Sequence, residues 1–183
     1  MRYADDFVIV FTSHQDAARV WTVLPQRFAK YGLTLHEQKT RLVDFRKPQK
    51  GARAETFDFL GFTHYWGKTK SRQLVVMRKT ARNRLRRSLK RIAEYCDTNR
   101  HAPLTDQHKT LCQKVRGHYN YYGVAANWRS LSSFLYYVRK TWRVWLNRRS
   151  QNAKMTWDKM LKLLERYPLP NVRIVHRIGV AKL

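Results

Sequence analysis

The apolar residues of this chain change their spacing near residue 78, and that change limits the chain to a mixed fold. Before it, apart from one helical stretch over 17–31, apolar residues come in short runs interrupted by Gly32, Pro48, Gly51 and Gly61; after it, they recur every three to four positions as far as residue 167. Short runs are stable only as strands paired with one another, whereas the longer period lays an apolar stripe along a helix. The expectation is an α+β chain: residues 1–77 with a short antiparallel sheet and a helix, residues 78–167 as an α-helical bundle, and residues 168–183 as a tail.

Within the first unit, Phe7-Val8-Ile9-Val10-Phe11 reads as a strand buried on both faces. Ser13, with Asp16 three positions on, marks a helix start. Ala17, Val20, Trp21, Leu24, Phe28 and Tyr31 then recur at helical spacing up to a stop at Gly32. Pro25 predicts a kink or break in that helix. Leu33–Leu35 and Leu42–Phe45 suggest two short strands around a turn at Glu37–Thr40, followed by a basic loop over 46–55. Phe57–Phe62 alternates until Gly61, which suggests a bulge or a close backbone approach, and Leu74–Val76 closes the unit as a strand.

The second unit carries four apolar stripes: Leu85, Leu89, Ile92 and Cys96; then Leu111, Val115, Tyr119 and Tyr122 on a helix capped by Thr105. Leu131, Phe134, Leu135, Val138, Trp142, Trp145 and Leu146 follow, and finally Trp157, Met160, Leu161 and Leu164. Short connections favour antiparallel neighbours in a small bundle. Val172–Val175 fits a last strand and an extended tail equally well. Cys96 and Cys112 are the only cysteines and form no C-x-x-C pair, so they read as buried free thiols in a reducing compartment rather than zinc ligands.

Charge narrows the function. Thirty-eight Lys and Arg against twelve Asp and Glu leave a formal charge of +26. Residues 1–77 hold thirteen basic and seven acidic side chains, and residues 78–167 hold twenty-two and five. Such a charge attracts phosphate polymers and makes their binding salt-dependent. Positive charge spread over several helices, with no long apolar run, argues against a membrane as the partner. Arg82, Arg84, Arg86, Arg87, Lys90 and Arg91 crowd one helix, with Glu94 the only acid near them. Pairing within the helix cannot absorb that charge, so these residues are candidate phosphate contacts. Arg139, Lys140, Arg143, Arg148 and Arg149 extend the basic surface. Tyr121, Tyr136 and Tyr137 fall off the apolar stripes, a placement that suits stacking on bases as well as packing. His118, among tyrosines, reads as a hydrogen-bonded packing residue.

Against this background Asp5 and Asp6 stand out as adjacent carboxylates entering the first apolar run. A chain of this length with eight Asp carries such a pair by chance about one time in three, so the pair alone says little. On a strand the two side chains diverge, and only a turn directs both to one place. Close carboxylates need a cation between them, and Mg²⁺ suits oxygen donors and phosphate substrates.

The pair has company. Tyr3-Ala4-Asp5-Asp6 before a β run resembles the catalytic hairpin of reverse transcriptases. Gly32-Leu33-Thr34-Leu35-His36-Glu37-Gln38-Lys39-Thr40 is similar to the next block of that family, with Gln38 inserted between the Glu and the Lys. Phe59-Leu60-Gly61-Phe62 resembles the block near the primer grip. Arg116–Gly123 and Leu169–His176 resemble the maturase (X) region of bacterial group II intron proteins.

The resemblance implies a partial reverse-transcriptase palm followed by a helical thumb and maturase domain, acting in RNA-directed DNA synthesis and intron splicing in the bacterial cytoplasm. Asp5 and Asp6 would be catalytic and hold Mg²⁺, two ions in an intact enzyme, with Asp5 the safer ligand. Phe59, Leu60, Gly61 and Phe62 would seat the primer. Group II intron RNA and an RNA–DNA template–primer duplex are the implied partners. In this family the first palm Asp and the fingers precede the Asp-Asp block, so the chain is expected not to polymerise alone, unless a separate chain supplies them. It carries no Cys/His-rich endonuclease segment, and DNA cleavage is not expected of it. The other reading is a non-catalytic RNA-binding module that assists splicing.

Overall fold

A computed structural model describes residues 2–3, 5–49, 52, 54–152 and 154–176. Among them are five helices, a three-stranded antiparallel sheet and a separate two-residue strand pair, an α+β arrangement.

Strands β1 (Arg2–Tyr3) and β2 (Asp6–Phe7) pair antiparallel, Tyr3 opposite Asp6, so the acidic pair sits at a hairpin tip with Asp5 in the turn. The apolar run after it is not the buried strand expected. The described strand covers Asp6 and Phe7, while Ile9 is 47% exposed and Val10 85%. Apolar character alone does not make a strand. Helix α1 (His14–Ala29) begins at Ser13, whose hydroxyl accepts from the Asp16 amide, and ends before Gly32 at φ +67. It runs through Pro25 without the break expected. Ala17 is its one buried residue, while Trp21 and Tyr31 of the expected stripe are exposed. Phe28 stacks on Phe7 at 5.7 Å and seats the acidic hairpin.

The segments 33–35 and 42–45 are irregular rather than strands. Their polar groups are answered by side chains instead of a ladder: Glu55 accepts from the Asp44 amide, and Trp66 Nε1 donates to the Phe45 carbonyl at 3.0 Å. Strands β3 (Phe57–Phe59), β4 (Phe62–Lys68) and β5 (Leu74–Thr80) form the sheet in that order. Gly61 is no bulge. Leu60 (φ 49) and Gly61 (φ 78) form a two-residue turn with both φ positive, the geometry that matches strand twist. β5 extends past residue 77, so that position lies inside a strand.

The core belongs to α2 (Arg82–Thr98), α3 (Leu104–Tyr122), α4 (Trp128–Asn147) and α5 (Trp157–Arg166). The stripes of the first three meet as expected: Ile92, Cys96, Leu111, Val115, Tyr119, Leu131, Phe134, Val138, Trp142 and Leu146 are all buried. Each large buried side chain contributes roughly 1.5–3 kcal/mol. α5 departs from expectation, since it buries Met160 but leaves Trp157 and Leu161 exposed. Thr105 is not a cap; α3 starts at Pro103, whose carbonyl accepts from the Asp106 and Gln107 amides. Buried Gln107 ties the preceding loop through Nε2 to the carbonyls of Asn99 and Ala102, and its Oε1 accepts from Trp142 Nε1 at 2.9 Å.

Sheet and helices are joined by buried Asn127. Its Oδ1 accepts from the Thr80 amide at 2.9 Å, and its Nδ2 donates to Thr80 Oγ1 and the Tyr122 carbonyl at 2.8 Å each. The segment 168–176 is extended over α3: Leu169 is buried, and the Gly123 carbonyl accepts from the Val175 and His176 amides. Cys96 and Cys112 are free and buried, and burial pushes the Cys96 thiol up to about 12. Among the described residues, no helix is long and apolar enough to cross a membrane.

Candidate nucleic-acid interface

An open cleft of about 530 Å³ lies between the acidic hairpin, the β3–β4 turn and the helices α2 and α3. Tyr3 and Asp6 line it on one side, and Leu60 and Gly61 come from the turn. Arg84 and Arg91 come from α2 and Lys114 from α3. Three cations therefore face one carboxylate in a single concavity.

The turn is held from behind. Tyr121 Oη donates to the Leu60 carbonyl at 2.9 Å, and the Ala81 amide donates to the Gly61 carbonyl at 2.9 Å. A Cβ on Gly61 would come within 3.2 Å of the Tyr122 hydroxyl, so this glycine answers both the left-handed φ and the close approach. The Phe62 ring stacks on Tyr121 at 5.9 Å. Of the expected primer-seating residues, then, Leu60 and Gly61 reach the cleft, while Phe59 and Phe62 are buried under it.

The α2 cations sort by helix face. Arg82, Arg84, Arg86, Arg87, Lys90 and Arg91 are all exposed, but only Arg84 and Arg91, seven residues apart, line the cleft. Lys90 is engaged with Glu94 at 3.7 Å, and the others form no ion pair among the described residues. On α4, Lys140 and Tyr137 are exposed and lie outside the cleft. Arg139 and Arg143 are half-buried, and Arg143 Nη1 donates to the Met155 carbonyl at 2.9 Å, which commits it to the α4–α5 junction.

Sequence reasoning missed Lys114, Tyr122 and His118 as cleft residues. Lys114, Gly117, His118 and Tyr121 share one helical face beside the apolar stripe of α3, so their spacing carried the signal. His118 is a packing residue, as expected. Its ring stacks on Phe134 with centroids 3.7 Å apart and leans on Tyr122 at 4.6 Å. The hydrogen bond expected of it is missing at Nε2, which is buried with no partner among the described residues, and burial pushes the imidazole down to about 4.

Residues 1–64 match the reverse transcriptase (RNA-dependent DNA polymerase) family model. That stretch contains the acidic hairpin, α1 and the β3–β4 turn. No curated protein and no solved structure matches the chain.

The family's chemistry needs divalent metal held by carboxylates, and the residues present can be tested against it. Asp5 and Asp6 are exposed oxygen donors of the right kind, and Asp6 faces the cleft while Asp5 occupies the turn. Among the described residues, no three or more His, Cys, Asp or Glu side chains converge. Among the described residues the site offers two adjacent carboxylates, oxygen donors of the kind Mg²⁺ takes, and only Asp6 lines the cleft with the cations.

Proposed function

We propose that this chain is the nucleic-acid-gripping part of a reverse transcriptase of the group II intron maturase kind. The cleft takes the sugar–phosphate backbone of intron RNA or of an RNA–DNA template–primer duplex. One observation carries the reading: Asp6, the Leu60–Gly61 turn and the cations Arg84, Arg91 and Lys114 share a single concave surface. Phosphates meet Arg84, Arg91 and Lys114 as point contacts, and the rigid turn abuts the strand end nearest the acidic hairpin. A helix with six exposed cations and one ion pair keeps most of its charge available for that contact. Asp5 and Asp6 would supply two of the oxygen donors of a Mg²⁺ site, which further carboxylates beside them complete.

The test is binding of a labelled RNA–DNA duplex across a salt series. Affinity should fall steeply between 50 and 200 mM salt. The double variant Arg84→Ala/Arg91→Ala should bind more weakly and lower the log–log salt slope by about two. Salt-independent binding, or an unchanged slope in the variant, removes the cleft reading.

A further inference from the structure

The outer side of α4 carries an aromatic arrangement that the core does not explain. Tyr136 is 52% exposed and Trp157 39%, with ring centroids 6.4 Å apart and planes within 18° of parallel. Tyr137 meets Tyr136 edge-on at 5.3 Å. Arg143 fixes the Trp157 ring from one side, its guanidinium carbon 4.7 Å from the ring centroid while Nη1 is tied to the Met155 carbonyl. At about 100° per residue, Tyr136, Lys140 and Arg143 lie roughly 180–240° around α4 from Phe134. Phe134 lines the cleft, so this face looks away from it.

Charge says what such a face attracts. Helix α4 holds Arg129, Arg139, Lys140 and Arg143 and no acidic residue. Exposed Lys140 stands one turn beyond Tyr136 and forms no ion pair among the described residues. A second copy of a chain carrying +26 is repelled from this surface, whereas a polyanion is drawn to it. Exposed rings beside free cations are the elements that bind unpaired bases, which stack on an aromatic face while their phosphates meet the cation. A paired duplex offers no free base faces to such rings.

We propose that Tyr136 and Trp157, with Lys140 beside them, form a second nucleic-acid site that takes unpaired bases of single-stranded RNA. The site rests on the nucleic-acid reading of the cleft but differs from it in residues and in ligand: the cleft takes backbone, and this platform takes bases. Because Arg143 already orients Trp157, little ordering is lost when a base arrives.

The experiment compares three labelled probes on the full chain: an unstructured single-stranded RNA, the same length with abasic positions, and an RNA–DNA duplex. Tyr136→Leu/Trp157→Leu keeps apolar bulk at exposed positions and removes the rings. It should weaken the single-stranded probe about tenfold or more while leaving the duplex unchanged. Tyr136→Phe should keep wild-type affinity, and the abasic probe should bind wild type and the Leu variant equally. If the variant binds the single-stranded probe as wild type does, the platform is overturned, and normal duplex binding in that same protein leaves the cleft standing. A wild-type dimer in sedimentation that the Leu variant dissolves also overturns it, by making the face a protein contact. Loss of duplex binding in Arg84→Ala/Arg91→Ala tests the cleft independently.

Discussion

His118 makes stability fall on mild acidification, in a way that one substitution isolates. Its ring is buried between Phe134 and Tyr122, its Nε2 has no partner among the described residues, and burial holds its pKa near 4. An imidazole in the unfolded chain titrates near 6.5. Above pH 6.5 both states are neutral and pH has no effect through this group. Between 6.5 and 4 the unfolded chain takes up a proton that the folded chain refuses, so stability rises with pH in that window and is lost as pH falls. Below about 4 both states are protonated and the loss levels off. The two values put the loss at about 2 kcal/mol by pH 5 and about 3 kcal/mol by pH 4.

The assay is urea unfolding of wild type and His118→Phe at pH 7.5, 5 and 4. Phenylalanine keeps the stack on Phe134 and removes both the titration and the buried unpaired nitrogen, whose cost is roughly 1–3 kcal/mol. The variant should equal or exceed wild-type stability at pH 7.5, and its advantage should grow by about 2 kcal/mol at pH 5. Other acid effects, including the lowered pKa of half-buried His64 and the growing positive charge, are common to both proteins and cancel in the difference. Parallel stability profiles from pH 7.5 to 4 would refute the reasoning, because they would mean that His118 protonates freely in the folded chain.

Two further outcomes follow from the joints around the cleft. Asn127→Ala strands the Thr80 amide in a buried setting and removes the bonds to Thr80 Oγ1 and the Tyr122 carbonyl, and should cost about 3 kcal/mol in chemical denaturation; a loss below 0.5 kcal/mol would show that sheet and helices do not depend on this side chain. Tyr121→Phe removes only the hydroxyl that holds the Leu60 carbonyl, and should cost about 1 kcal/mol while speeding amide exchange at Leu60 and Gly61. Unchanged exchange there would mean that the Ala81 contact alone secures the turn.

Much of the helical part was legible because its signal is local and repeated. Leu131, Phe134, Leu135, Val138, Trp142 and Leu146 occupy one side of α4 by spacing alone, and that side is the buried one. Ser13 and Gly32 likewise bracket α1 by chemistry that acts within one turn of chain. The failures share a cause. Phe7–Phe11, Leu33–Leu35 and Leu42–Phe45 have strand composition, but a strand exists only if a partner backbone lies beside it, and among the described residues 9–11, 33–35 and 42–45 form no strand. Trp157 and Leu161 continue an apolar spacing on α5, yet both stay exposed, Trp157 with only Tyr136 and Arg143 against its ring among the described residues; periodicity locates a face and cannot say what covers it.

The same division runs through the candidate site. Sequence alone determined that two carboxylates stand together before an apolar run, that α2 carries more cations than its acids can pair, and that a glycine follows Leu60 where the chain must turn. Tertiary structure decided which of these meet. It selected Arg84 and Arg91 from six cations because α2 turns only one side toward the hairpin, and it added Lys114 from a helix with no basic cluster. It also buried Phe59 and Phe62 beneath the turn that Leu60 and Gly61 present. Charge and local conformation are properties of neighbours along the chain, whereas a cleft is made by residues that only packing brings together.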